Sequence, residues 1–233
     1  MVAGPGQAGV ARRSCHHARM HKEDDILYYW PGSASFVVHW LLIELGRPHR
    51  LVPVDLQGGA QKSAEYLALN PAGVVPTLVV DGVARTEAGA LLLMLADADP
   101  QARFAPRHDD PRRADCLQWM FHLANVVQPL LRNWWYPHEP AGQAHRDAVF
   151  AQTAQRMEAA WQRIDDHLAA HGPYMLGDAA SIVDFHLTML LRWSREMPRP
   201  GDDWPHLAAL ARRMKARPSF TELYAREGLD AWR

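Results

Sequence analysis

The feature that most constrains this chain is a change of rhythm near residue 110. Before it, short β-branched and aromatic runs alternate with longer apolar runs; after Pro111 no strand pattern remains. A chain of this kind must build an α/β layer first and a helical layer second. Its 233 residues are enough to bury a core in both.

The early rhythm is specific. Residues 26–30 predict a strand ended by Pro31-Gly32, and residues 35–45 predict a helix stopped by Gly46. Residues 49–54 predict a second strand, whose Pro53 must stand at an edge or a non-bonding position. A Gly-containing loop at 57–60 leads into a short helix at 63–69. Residues 76–80 predict a third strand, Asp81-Gly82 a hairpin turn, 83–85 a fourth strand, and 86–96 a helix with Thr86 as N-cap. The order is that of a thioredoxin-like α/β domain at 26–97. Residues 98–110 read as a linker. Helical patterns then run through 112–134, 143–170, 181–195, 204–216 and 218–226, so 111–233 reads as an all-helical domain. Residues 1–25 read as a disordered tail with Met20 as a natural start, and its Cys15, His16, His17 and His21 as incidental rather than metal ligands.

Composition removes several classes. Lys plus Arg number 25 and Asp plus Glu 26, giving a net charge of -1, without the basic surplus a nucleic-acid binder needs. The strongest apolar stretch, 36–45, is broken by His39 and is far short of the ~20 residues of a membrane span. The two cysteines, Cys15 and Cys116, form neither a CxxC pair nor a disulfide framework, which fits a reducing, cytoplasmic setting.

Three segments of the first half carry chemistry. In Tyr28-Tyr29-Trp30-Pro31-Gly32-Ser33-Ala34-Ser35-Phe36 a strand turns sharply into a helix, whose first N–H groups favour an anion. The turn has no cysteine, which excludes dithiol chemistry; it has two hydroxyls, Ser33 and Ser35, either of which can donate to a thiolate, with Ser35 equally placed to be only the helix cap. In Asn70-Pro71-Ala72-Gly73-Val74-Val75-Pro76-Thr77-Leu78, a proline directly before a strand suggests a rigid, cis turn. Such a turn shows the Val75 N–H and C=O to a peptide laid alongside, or else is a plain loop. At Thr86-Glu87-Ala88, a helix start offers a carboxylate for an ammonium and amides for a carboxylate, or simply places an acid where the helix dipole favours it.

Together these segments resemble the glutathione transferase superfamily, over residues 26–228, in its serine-type form near the delta, theta and beta-like bacterial classes. Residues 177–185 resemble the family's capping box, with Ser181 and Asp184 reciprocal. The resemblance implies glutathione as co-substrate, no metal, and a homodimer acting on a small apolar electrophile, without nucleic-acid or membrane partners. It implies Ser33 as thiolate donor with Ser35 as runner-up, and Val75, Pro76, Thr86, Glu87 and Ala88 as glutathione-binding positions. It implies Trp119, Trp134, Trp135 and Tyr136 as walls of the electrophile site, although buried helix packing accounts for each Trp as well. One departure stands out: the family follows Glu or Gln with Ser where this chain has Glu87-Ala88. The missing hydroxyl leaves a second reading, a non-catalytic transferase-like interaction module. Elsewhere, His167 and His171 have i, i+4 spacing but no third metal ligand in the pattern.

Overall fold

The computed structural model describes Met1 and residues 24–232. Met20, Cys15, His16, His17 and His21, and almost all of the expected tail, lie outside the described residues. Asp25, assigned to that tail above, instead opens the first strand.

The first half is a four-stranded mixed sheet in the order β2-β1-β3-β4. Strand β1 (Asp25–Tyr29) pairs in parallel with β2 (His49–Pro53) and antiparallel with β3 (Thr77–Val80); β3 forms a hairpin with β4 (Val83–Arg85). Pro53 therefore sits on an edge strand, as its missing N–H demands. The hairpin turns through Asp81 and Gly82, both at positive φ, 51° and 76°.

Helix α1 (Ser35–Leu45) crosses from β1 to β2 and has eight consecutive buried residues, Ser35 to Leu42. A helix apolar on every side must be covered on every side. The sheet covers one face of α1 through Leu27 and Leu78; Phe185, Phe220 and Tyr224 of the helical half cover another. Gly46 ends the helix at φ 65°. Helix α2 (Ala64–Leu69), capped by Ser63, packs Tyr66 with Val54 and Val75 in a second, smaller cluster. Helix α3 (Ala88–Asp97) begins later than the pattern predicts: Glu87, not Thr86, occupies the cap position.

Residues 98–110 contain no helix or strand, but they are not a loose tether. Phe104 and Ala105 are buried, and the Phe104 carbonyl accepts the Ile182 N–H at 2.8 Å. The helix predicted over 112–134 arrives in three pieces: α4 (Arg113–His122), a π segment (Leu123–Val127) and α5 (Gln128–Trp135). Pro129 lacks the N–H that would close the regular ladder, so the register shifts just before it. Helices α6 (Arg146–His171), α7 (Ile182–Trp193), α8 (Pro205–Lys215) and α9 (Pro218–Glu227) complete the second half, with α7 buried along nearly its whole length. The fold is an α/β thioredoxin-like domain followed by a helical domain. No helix among the described residues is long and apolar enough to cross a membrane.

Candidate functional site

The turn between β1 and α1 gathers its polar groups tightly. The Ser33 and Ser35 hydroxyl oxygens lie 2.8 Å apart. Ser33 Oγ is also 2.8 Å from the Trp30 carbonyl and accepts the Ser35 N–H at 3.3 Å. Ser35 Oγ accepts the Trp30 N–H at 3.2 Å and reaches the Trp30 carbonyl at 3.1 Å. Ser35 is fully buried, whereas Ser33 is half-buried. The cap position of α1 belongs to Ala34, so Ser35 is not the N-cap considered above; it is the first helical residue, braced from below. The cap-like contact, a hydroxyl accepting a first-turn N–H, is made by Ser33.

The Val75–Pro76 bond is cis. The preceding loop is fixed from underneath: the Tyr66 hydroxyl and the Asn70 side-chain amide both donate to the Val74 carbonyl at 2.7 Å. Tyr66 also meets the Thr77 hydroxyl at 2.9 Å. The Val75 N–H and C=O have no hydrogen-bond partner among the described residues.

Glu87 has φ 69° and ψ 105°, a conformation a non-glycine residue adopts only under constraint. It is exposed and does not cap α3 with its side chain. The N–H groups of Ala88, Gly89 and Ala90 open the helix without partners among the described residues, the first internal bond being Leu91 N–H to the Glu87 carbonyl at 2.9 Å. Ala88 turns its methyl inward and is buried.

The aromatic candidates separate. Trp135 donates its ring N–H to the Trp193 carbonyl at 3.1 Å, and Trp193 donates its own to the Gly32 carbonyl at 2.9 Å, so Trp135 is joined to the turn. Tyr136 is exposed beside it on the chain, with the Arg132 guanidinium 5.1 Å from its ring. Trp134 instead stacks on Phe150 of α6 at 3.8 Å, and Trp119 packs on His167 at 4.5 Å and His122 at 5.5 Å. Those two rings belong to packing within the helical layer. Trp119 also lines a surface cavity of about 380 Å³ with His167 and His171, away from the turn. Among the described residues no group of three or more His, Cys, Asp or Glu side chains is gathered to hold a metal ion. The Cys116 thiol is buried and burial pushes it up to about 11, which leaves it inert.

Three groups at the turn escape a reading of the sequence. Glu227, Arg192 and Trp193 all bond to Gly32 from 160 to 195 residues away. Nothing local marks them, because their roles exist only once α7 and α9 dock on α1.

Two family models match the chain: the glutathione S-transferase N-terminal domain over residues 33–98 and the C-terminal domain over 124–226. Glutathione S-transferase GST-4.5 of Xanthomonas campestris pv. campestris is 32% identical over 213 residues, covering 88% of this chain and 99% of that protein. A maleylacetoacetate isomerase of Rhizobium meliloti is 30% identical over 203 residues, covering 84% and 94%. The solved structure of a glutathione transferase homologue from Sulfitobacter, with bound glutathione, superposes with a TM-score of 0.79 at 28% identity, covering 87% of this chain and 98% of that one.

Proposed function

The chain belongs to the glutathione S-transferase family and is an enzyme of that family, and from this premise we propose that Ser33 activates the thiol of bound glutathione for attack on a small apolar electrophile. The observation that carries the reading is the paired hydroxyls of the turn. Ser35, fully buried, can give its proton to Ser33 Oγ at 2.8 Å, which frees the half-buried Ser33 to turn its own proton outward. A donor polarised by a second donor is a stronger one, and the start of α1 adds its dipole. The thiol of glutathione has an ordinary pKa of about 8.5, and lowering it by two units corresponds to about 2.7 kcal/mol. Ser33 acts as donor, not as a covalent nucleophile.

The rest of the tripeptide has matching partners. The Val75 N–H and C=O suit a peptide backbone laid beside the cis-proline loop. Glu87 suits an ammonium, and the free N–H groups at the start of α3 suit the neighbouring carboxylate. Thr86 flanks that pair, and the Ala88 amide substitutes in part for the hydroxyl that a serine would bring. Trp135 and Tyr136 wall the electrophile side; Trp119 and Trp134 shape it only through the helices they pack. We extend the reading to a homodimer, to which the exposed Val83 and Phe121 offer apolar surface. The isomerase among the relatives makes isomerisation by thiolate addition a second chemistry for the same thiolate.

Retention on immobilised glutathione comes first: a folded protein that does not bind refutes the proposed glutathione site and the role of Ser33 in it. Ultraviolet titration of the bound thiolate then assigns the donor. Ser33→Ala is expected to raise that pKa and lower kcat roughly 10- to 1000-fold. If Ser35→Ala raises it and Ser33→Ala does not, the roles are reversed; if neither moves it, backbone amides activate the sulfur. A panel of electrophiles that includes maleylacetoacetate separates conjugation from isomerisation.

A further inference from the structure

Gly32 lies at the centre of the turn with φ 68°, where a residue with a side chain is strained. A Cβ there would also lie 2.7 Å from an Arg192 guanidinium nitrogen. Glycine is thus required at the most freely rotating point of the turn, and something must hold it. Both of its backbone groups are held by the helical domain. The Gly32 N–H donates to Glu227 Oε2 at 2.8 Å. The Gly32 carbonyl accepts Trp193 Nε1–H at 2.9 Å and, more weakly, an Arg192 N–H at 3.4 Å. Glu227 Oε1 meets His39 Nδ1 of α1 at 2.8 Å, with both side chains wholly buried.

We infer that Glu227 and Trp193 are positioning residues that aim the Ser33 hydroxyl and the first amides of α1 at the glutathione sulfur; the inference rests on the reading of Ser33 given above. The Gly32 N–H belongs to the Pro31–Gly32 peptide plane and its carbonyl to the Gly32–Ser33 plane. Fixing both planes fixes the φ and ψ of Gly32, and so the direction in which Ser33 leaves the turn. Glu227 also ties the first of those planes to α1 through His39, so turn and helix move as one body. A buried pair of this kind adds little net stability. Its value lies in geometry, since a displacement of about 1 Å at a reacting group costs on the order of a hundredfold in rate.

The test compares Trp193→Phe, Glu227→Gln and Glu227→Ala in the full chain, with the thiolate titration of bound glutathione and the split between kcat and KM as readouts. Trp193→Phe keeps the ring and loses the N–H; it is expected to raise the thiol pKa and lower kcat about five- to fiftyfold, with KM for glutathione within about twofold. Glu227→Ala is expected to do the same. Glu227→Gln retains an acceptor for the Gly32 N–H and is expected to stay within about threefold of the parent. Removing a negative charge near a thiolate would by itself lower its pKa, so a rise identifies geometry. Glu227→Gln falling as far as Glu227→Ala, or Trp193→Phe matching the parent, overturns the inference. Should Glu227→Ala fail to fold, the other two variants decide. A parent protein that leaves bound glutathione at its free pKa refutes the Ser33 reading and this one with it. A parent that lowers the pKa, with Trp193→Phe unchanged, refutes only the clamp.

Discussion

At the start of α7 the chain meets the N–H groups of Ser181, Ile182 and Asp184 with its own acceptors, whereas at the start of α3 it leaves the first three bare. The Asp184 carboxylate accepts from Ser181 N–H, Ser181 Oγ–H and Met175 N–H, all at 2.8 Å, and Phe104 supplies a carbonyl for Ile182. At α3 the cap residue is Glu87, held at φ 69° without a side-chain cap bond. Both helix starts carry an acid, Asp184 in the first turn of α7 and Glu87 at the cap of α3. One end is buried and self-sufficient, the other exposed and strained. On the proposed function, this unmet and strained helix start is where glutathione supplies the missing partner.

The hardest way to break this comparison is to open the closed end. Asp184→Ala leaves two buried amides and a hydroxyl without an acceptor, and is expected to cost about 3–5 kcal/mol of stability by urea unfolding. Glutathione affinity of the folded protein should stay within about twofold. A large loss of affinity with little loss of stability would mean that α7, not α3, carries ligand function. At the open end the expected signs are opposite. Glu87→Gly relieves the positive φ and should stabilise the fold by about 1 kcal/mol while weakening glutathione binding about tenfold or more. Glu87→Ala should weaken binding equally without the stability gain. Equal stability for the two would show that the Glu87 backbone is not strained.

How far these ends can be read from sequence follows from how local each one is. The Ser181-x-x-Asp184 box spans four residues, and Pro53, Asp81-Gly82 and Gly46 act within their own turns, so their places are legible. The hydroxyls of the turn are legible as candidates, but not which one is buried, because that depends on how the turn folds back on Trp30 and how α1 packs. The positive φ of Glu87 leaves no mark in the sequence. The grip on Gly32 is the extreme case, with partners that reach the turn only through packing. Trp119 and Trp134 show the converse: aromatics are easy to find, but the face they take is set by α6.

The smallest expected effect is a cancellation beside the closed end. Burial raises Asp184 from 3.8 to about 6, so its carboxyl favours the folded state when protonated. The stability this gives is full below about 3.8 and lost as pH rises through 6. Burial lowers His186, two residues on, from 6.5 to about 4, so its imidazole favours the folded state when neutral. That stability is present above 6.5 and lost as pH falls through 4. Each shift corresponds to roughly 3 kcal/mol, with opposite sign over nearly the same range. The parent protein should therefore show little pH dependence from this pair between pH 6.5 and 4. His186→Gln keeps a side chain that can donate to Gln128, which His186 contacts at 2.9 Å, and removes the titration. It should uncover Asp184 alone, so that the urea midpoint rises as pH is lowered from 6.5 to 4.5. A midpoint in His186→Gln that does not rise over that range would show that the Asp184 carboxylate is ionised at little cost. The three donors around it would then outweigh its burial, and the closed end would be a site prepared for charge, like the start of α3.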